Sequence, residues 1–82
     1  MNRKITFAEL CRLFDGLNFE RIVQPTHVLF EHAPSDTKVV LRSYQARDLV
    51  NSADLAVVRK TLDERGMMSA DSFEHFLKKK PA

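Results

Sequence analysis

Apolar residues in the first part of the chain recur with the period of an α-helix. The residues at i, i+3, i+4 and i+7 are Phe7, Leu10, Cys11 and Phe14. This spacing places them on one face of a helix, which can pack against a core. Thr6-Phe7-Ala8-Glu9 has the form of a capping box, in which the threonine and glutamate side chains satisfy free amides. Gly16 follows where a left-handed residue would end the helix, so the pattern predicts an amphipathic helix that stops there.

Three later segments have the apolar and β-branched residues of short strands. They cover residues 19–23, 26–32 and 38–42. In the second segment, period two places His27 on one face and Val28 and Phe30 on the other. Pro25 cannot donate to a ladder and marks a turn, and residues 33–36 have the composition of another. The pattern therefore predicts an antiparallel meander of three strands.

The last third of the chain has two further helical patterns. Asn51 or Ser52 caps the first, which ends at Gly66, and Ser69 or Asp71 starts the second. Their apolar residues are Leu55, Val58 and Leu62, followed by Phe73, Phe76 and Leu77. Residues 43–50 have no clean period and are predicted to form a loop. The whole predicts one α+β domain over residues 1–82: a helix, a three-stranded antiparallel sheet, a helix and a short C-terminal helix, with the helices on one sheet face.

Composition narrows the class of protein. The 82 residues are 44% hydrophobic, enough for one small core. The single cysteine, Cys11, excludes an internal disulfide and a multi-cysteine zinc site, and its apolar neighbours favour a buried position. No apolar run approaches the roughly 20 residues of a membrane span, and the charged start lacks a signal peptide's apolar core. We therefore expect a cytoplasmic protein without membrane contact, bound metal or cofactor.

The basic residues are spread along the chain and carry a formal net charge of +2. They include Arg3, Lys4, Arg12, Arg21, Lys38, Arg42 and Arg47, and the run Lys78-Lys79-Lys80. This distribution is typical of a solvated surface and is also compatible with RNA as a partner.

His27 is the leading candidate for chemistry, because it opens an apolar strand directly after Pro25-Thr26. Imidazole both gives and takes protons near neutral pH. His32 lies on the opposite strand face, so the two histidines are poorly placed to bind one metal. A structural role at the end of the strand is enough to explain the presence of His32. His75 lies off the apolar face of its helix and is expected to be exposed. A lone strand histidine is also often only structural, so both interpretations of His27 stay open.

An ordered pattern is formed by Asn18-Phe19, Pro25-Thr26-His27, residues 28–34, Val39-Val40-Leu41, and residues 55–62 running to Gly66. This pattern, which covers most of the chain from Phe7 to Leu77, resembles the HicA family of bacterial toxins. It implies a fold like that of the double-stranded-RNA-binding domain (dsRBD). It also implies an mRNA-cleaving ribonuclease that forms a toxin–antitoxin pair with a HicB-like antitoxin. Pro25-Thr26 stands where the family has Gly-Ser, and the C-terminal helix is an addition.

In the family, the histidine after Gly-Ser is implicated in RNA cleavage, and it corresponds to His27. Cleavage without metal needs a base for the 2′-hydroxyl, an acid for the leaving oxygen and cations around the phosphate. The candidate RNA-binding residues are Thr26, Arg21, Lys38, Arg42 and Tyr44. Tyr44 could stack on a base or cap the core with its ring. The alternative function is a non-catalytic RNA- or protein-binding module of the same fold.

Overall fold

The computed structural model describes residues 4–78. The helices are α1 (Phe7–Gly16), α2 (Ser52–Glu64) and α3 (Ala70–Lys78), and the strands are β1 (Glu20–Val23), β2 (His27–His32) and β3 (Thr37–Arg42). The predicted α+β class and element order are confirmed. Across residues 4–78, no helix combines the length and the apolar character that a membrane span requires.

The strands form one antiparallel sheet in the order β1-β2-β3, so β2 is central. Leu29 in β2 lies opposite Ile22 in β1 and Val40 in β3. The Gln24 amide donates to the His27 carbonyl across the Pro25-Thr26 turn, at 2.9 Å. Strands β1 and β2 begin one residue later than predicted and β3 one residue earlier, after a single turn of 3₁₀ helix over Ala33–Ser35. The predicted meander is therefore confirmed.

Helix α1 begins as predicted but ends differently. Thr6 Oγ1 accepts from the Glu9 amide at 3.2 Å, and Glu9 Oε1 accepts from the Thr6 amide at 3.1 Å, so the capping box is formed. The prediction that Gly16 is the left-handed cap is wrong. That residue is Asn18, with φ 66°, and the Phe19 amide returns to the Phe14 carbonyl at 3.0 Å. This is a Schellman ending, and asparagine tolerates it because its short polar side chain can bond locally.

Helix α2 is bounded by Asn51 and Gly66. The Asn51 side chain accepts from the Ala53 amide at 2.8 Å, which settles the choice between Asn51 and Ser52. Gly66, with φ 69°, ends the helix as predicted. Helix α3 follows Ser69, whose hydroxyl accepts from the Ser72 amide at 3.1 Å, so Ser69 rather than Asp71 caps it.

The assignment of the α2 cap makes a stability prediction. We expect Asn51→Ala to lower the free energy of unfolding by about 0.5–2 kcal/mol, because the Ala53 amide loses its acceptor. Ser52→Ala, one residue along, is the matched control and should change it by less than about 0.5 kcal/mol. Urea melts of both variants make the measurement. Equal effects would contradict the assignment.

The helices pack on one face of the sheet. The predicted core residues Phe7, Leu10, Phe14, Leu55, Val58 and Leu62 are all buried in one cluster. Phe14 stacks on Phe30 of β2 with ring centroids 4.2 Å apart, and Phe73 of α3 is fully buried in the same cluster. Cys11 is buried as predicted. The core thus consists of the apolar stripes of the helices and one side of the strands.

Two segments outside the regular elements complete the core. Thr6 and Leu49 form an isolated bridge, and the Val50 amide donates to the Ile5 carbonyl at 2.9 Å. Ile5 and Val50 are consequently buried. The loop over residues 43–50 is therefore tied to the start of α1, which places Tyr44 against the first helix.

Candidate functional site

The sheet face opposite the helices presents three rows of side chains. Residues in register on neighbouring antiparallel strands point to the same face. The rows are Glu20, Glu31 and Lys38 at one end, Ile22, Leu29 and Val40 in the middle, and His27 with Arg42 at the other end. Val40 is 59% exposed, so this face remains open to solvent. His27 therefore stands at one end of an open surface that carries both charged and apolar side chains.

His27 is the first residue of the central strand and is half-buried, as its position after Pro25-Thr26 predicts. Its Nδ1 lies 3.3 Å from the Thr26 hydroxyl. Arg42, the last residue of β3, is its cross-strand partner. Thr26, His27 and Arg42 are therefore neighbours along and across the strands, at the end of the sheet where the first hairpin turns.

Arg42 is held by Asp54, in the first turn of α2. Arg42 Nε lies 3.0 Å from Asp54 Oδ2, and the carboxylate is mostly buried. The Tyr44 hydroxyl donates to the same oxygen and accepts from the Asn51 amide at 3.0 Å. Asp54 was not among the sequence-predicted site residues, because an acidic residue in a first helical turn is explained by the helix dipole alone. The network fixes the last residue of β3 to the start of α2.

Tyr44 contributes its ring to the core. The ring stacks on Phe7 with centroids 5.4 Å apart and planes at 20°, which favours the core-capping interpretation over base stacking. Burial raises the pKa of Tyr44 above its usual 10.0, and the hydrogen bond to Asp54 raises this pKa further. The neutral phenol is therefore the form that the folded protein stabilises.

This shift predicts an alkaline loss of stability. Because the folded-state pKa of Tyr44 lies above the unfolded value of 10.0, the unfolded chain gives up the proton first. The contribution of Tyr44 is therefore complete below pH 10 and is lost as the pH rises through the folded-state pKa. Denaturant melts on either side of pH 10 should show a steeper fall for the wild type than for Tyr44→Phe. Parallel curves would contradict this prediction.

The other predicted RNA-binding residues do not gather around His27. Arg21 lies in β1 opposite Phe30 and faces the helices, where its Nη1 donates to Cys11 Sγ at 3.1 Å. Lys38 shares the open face with His27 but lies at the far end, 3.7 Å from Glu31. Only Thr26 and Arg42 of the predicted set are next to His27. Lys79 and Lys80 lie outside the described residues.

The other two histidines lie where the sequence predicts, His32 in a structural position at the strand end and His75 exposed on its helix. His32 lies on the helix side of the sheet, and its Nδ1 is 2.7 Å from Ser35 Oγ in the following turn. Ser35 Oγ is also 2.6 Å from the hydroxyl of the fully buried Thr37. The Ser35 hydroxyl therefore links the end of β2 to the start of β3. His75 is exposed on α3. Within residues 4–78, no group of three or more histidine, cysteine or acidic side chains is placed to hold a metal ion.

The geometry defines a small α+β protein with a histidine–arginine pair at one end of an open sheet face. An imidazole in that position can accept or donate a proton, and the Arg42 guanidinium, which also pairs with Asp54, can contribute positive charge toward an anion. Comparison with protein-family models, with curated proteins and with solved structures finds no match to this chain.

Proposed function

We propose that this protein is the toxin of a HicA/HicB-type pair, a cytoplasmic ribonuclease that binds and cleaves mRNA with His27 as its acid–base residue. The observation that carries the proposal is the cross-strand pairing of His27 with Arg42 at one end of the sheet. A cross-strand pair on a sheet is held in place by the ladder beneath it. Acid–base and electrostatic catalysis both depend on such fixed positions.

The element order supports a dsRBD-like, HicA-like fold as the finer description of this α+β protein. Helix α1, the three-strand meander and α2 follow one another as the resemblance implies. Helix α3 is an addition, and it packs into the same core through Phe73 and Leu77. Its apolar residues are thus largely occupied within the domain, so the antitoxin partner is expected to bind another surface.

The proposed reaction is an internal transesterification of RNA. Neutral His27 takes the proton of a 2′-hydroxyl, the freed oxygen attacks the adjacent phosphorus, and the bond to the 5′ oxygen breaks. Solvent water protonates the departing 5′ oxygen. Arg42 stabilises the extra negative charge that develops on the phosphate oxygens. The products are a 2′,3′-cyclic phosphate and a 5′-hydroxyl end, with no oxidant, reductant or metal required.

Charge along the open face favours phosphate binding at the His27 end. At the opposite end, Glu20 and Glu31 lie in one row with Lys38, and this row of three residues therefore has a net negative charge. Arg42 is 61% exposed and Thr26 is exposed next to it. Arg21 and Tyr44 lie behind this end, on the helix side. An RNA strand that contacted His27 and Arg42 on one side and Arg21 on the other would therefore cross the end of the sheet, instead of running along the open face.

The proposal is tested with purified protein and end-labelled single-stranded RNA in a chelating buffer. We expect cleavage that leaves a 2′,3′-cyclic phosphate. Binding without cleavage would instead identify the protein as a non-catalytic module. That second candidate is favoured by one observation, the apolar row on the open face in which Val40 is exposed and Ile22 and Leu29 are half-buried, because apolar surface left accessible to solvent is typical of protein-binding sites.

RNA affinity should depend on salt through Arg42. Each phosphate contact to single-stranded nucleic acid contributes about −0.7 to the slope of log affinity against log salt. We expect Arg42→Gln to make that slope shallower by about this amount. Arg59→Gln is the matched control, because Arg59 also holds one carboxylate, Glu74 at 2.8 Å, but lies on α2. Fluorescence anisotropy across a salt series makes the measurement, and equal slopes for the two variants would contradict a phosphate contact by Arg42.

A further inference from the structure

A cavity of about 330 Å³ lies on the helix side of the sheet, behind the end that carries His27. It is formed between α1, the end of the first hairpin and the loop that follows β3. Its walls include the rings of Phe7 and Tyr44, the side chains of Val23 and Val28, and the polar groups of Cys11 and Arg21. Small-molecule sites are typically of this kind, mostly apolar with a few polar groups, and of about 300 Å³ or more.

Arg21 is the one formally charged residue among those described that line this cavity. Its Nη1 donates to Cys11 Sγ at 3.1 Å, and a thiol sulfur is only a weak acceptor. Among residues 4–78, no carboxylate lies within ion-pair distance of Arg21, whereas Arg42 in the neighbouring region holds Asp54. A guanidinium has five donors in a fork that matches a carboxylate or phosphate. Most of this donor capacity therefore faces the cavity and solvent without a protein acceptor.

The apolar walls of the cavity include one ring held by several contacts and one side chain that is open to solvent. Tyr44 is fixed by its hydroxyl, which donates to Asp54 and accepts from Asn51, and by the stack on Phe7. Val23, by contrast, is 74% exposed at the mouth. Burying this valine under a ligand would remove apolar surface from water, which favours an occupant with an apolar body.

We propose that the cavity binds a small organic anion, with a flat body against the valine and aromatic side chains and an acidic group on Arg21. The chemistry could come from two sources, a free aromatic carboxylic acid or one nucleotide of an RNA. The free acid would make the cavity a ligand site independent of the proposed ribonuclease activity. The nucleotide would make it a subsite of that activity.

The test is a methyl NMR titration of the full chain with sodium phenylacetate. We expect the methyl signals of Val23 and Val28 to shift with a dissociation constant on the order of 1 mM, the affinity of a ligand this small. The methyl signals of Val57, which is exposed on α2, should not move. Phenethylamine has the same ring with the opposite charge, and acetate has the charge without the ring. Neither should produce these shifts at equal concentration.

Substitution of Arg21 distinguishes specific binding in the cavity from nonspecific contact with the protein surface. Arg21→Gln should weaken phenylacetate binding by at least about tenfold, because the charge-assisted bonds are lost. Arg12→Gln, on the exposed side of α1, is the matched control and should leave binding unchanged. Ala46→Phe, on the exposed loop that lines the cavity, should also abolish binding while the thermal melt stays unchanged. Shifts that persist in both Arg21→Gln and Ala46→Phe, or an absence of shifts in the wild type, would overturn the proposal.

Uridine 5′-monophosphate distinguishes the two sources. If the nucleotide shifts the same valine methyl groups with an affinity at least equal to that of phenylacetate, the cavity is a nucleotide subsite. If phenylacetate binds and the nucleotide does not, the cavity is a site for a free acid. Because the titration needs no cleavage, its outcome is separate from the RNA-cleavage test, and an inactive protein could still bind phenylacetate through Arg21.

Discussion

His27→Ala should reduce metal-independent RNA cleavage by about 10²–10⁴-fold, the range that a positioned acid–base residue contributes. The substitution removes the imidazole that would take the 2′-hydroxyl proton and leaves Arg42 and the fold in place. Single-turnover cleavage of a labelled RNA makes the measurement. In cells, the same variant should no longer arrest growth on overexpression.

His75→Ala is the matched control, since His75 is an exposed histidine on α3, away from the sheet. It should cleave RNA at the wild-type rate. Thermal melts should show nearly unchanged stability for both variants, because neither histidine is part of the buried cluster. Equal cleavage by wild type and His27→Ala would exclude the proposed catalytic role. If His27→Ala greatly lowered the melting temperature, its loss of cleavage would be attributed to unfolding and not to the missing imidazole.

The largest effect on stability is expected at Leu62. Leu62 is fully buried, and Leu62→Ala should lower the free energy of unfolding by about 2–5 kcal/mol through lost burial and the cavity left behind. A domain of this size has a stability on the order of 5 kcal/mol, so the variant should retain only about 0–3 kcal/mol and should unfold at a much lower urea concentration than the wild type. Urea melts followed by circular dichroism make the measurement.

Val57→Ala gives the comparison on the same helix. Val57 is 51% exposed on α2, and its truncation should change the free energy of unfolding by less than about 0.5 kcal/mol. A difference of several kcal/mol between two apolar truncations on one helix would locate the packed face of α2. A loss below about 0.5 kcal/mol for Leu62→Ala would mean that this helix packs through another face.

The elements with a strong local signal could be predicted from the sequence. The capping box at Thr6 and the stripe of apolar residues fix α1, and period two fixes which side of β2 meets the core. The end of α1 could not be predicted, because Gly16 and Asn18 both tolerate the left-handed region and the return of the Phe19 amide decides between them. The burial of Val50 could not be predicted either, because an isolated bridge between distant segments leaves no periodic pattern of apolar residues in the sequence.

The candidate site was predictable only in part. His27 follows from its place after Pro25-Thr26, and its exposure follows from the alternation in β2. Arg21 was grouped with His27, although it lies on the other side of the sheet. Phe19, just before β1, is buried on the helix side of the sheet. Because residues two apart in a strand share a face, Arg21 lies on the helix side as well. The pairing of His27 with Arg42 depends on strand register, which sequence alone does not specify here.

The alternation along the strands has a consequence for how this chain can change during evolution. Val28, Phe30, Val39 and Leu41 are buried against the helices, and their substitution is limited by the stability of the domain. The residues between them, Leu29 and Val40, lie on the solvent-facing side of the sheet and are half-buried and exposed, respectively, so their substitution is expected to cost less stability. Half of the strand positions are therefore open to selection for whatever the surface contacts, so this fold can acquire or lose an activity there without passing through unstable intermediates.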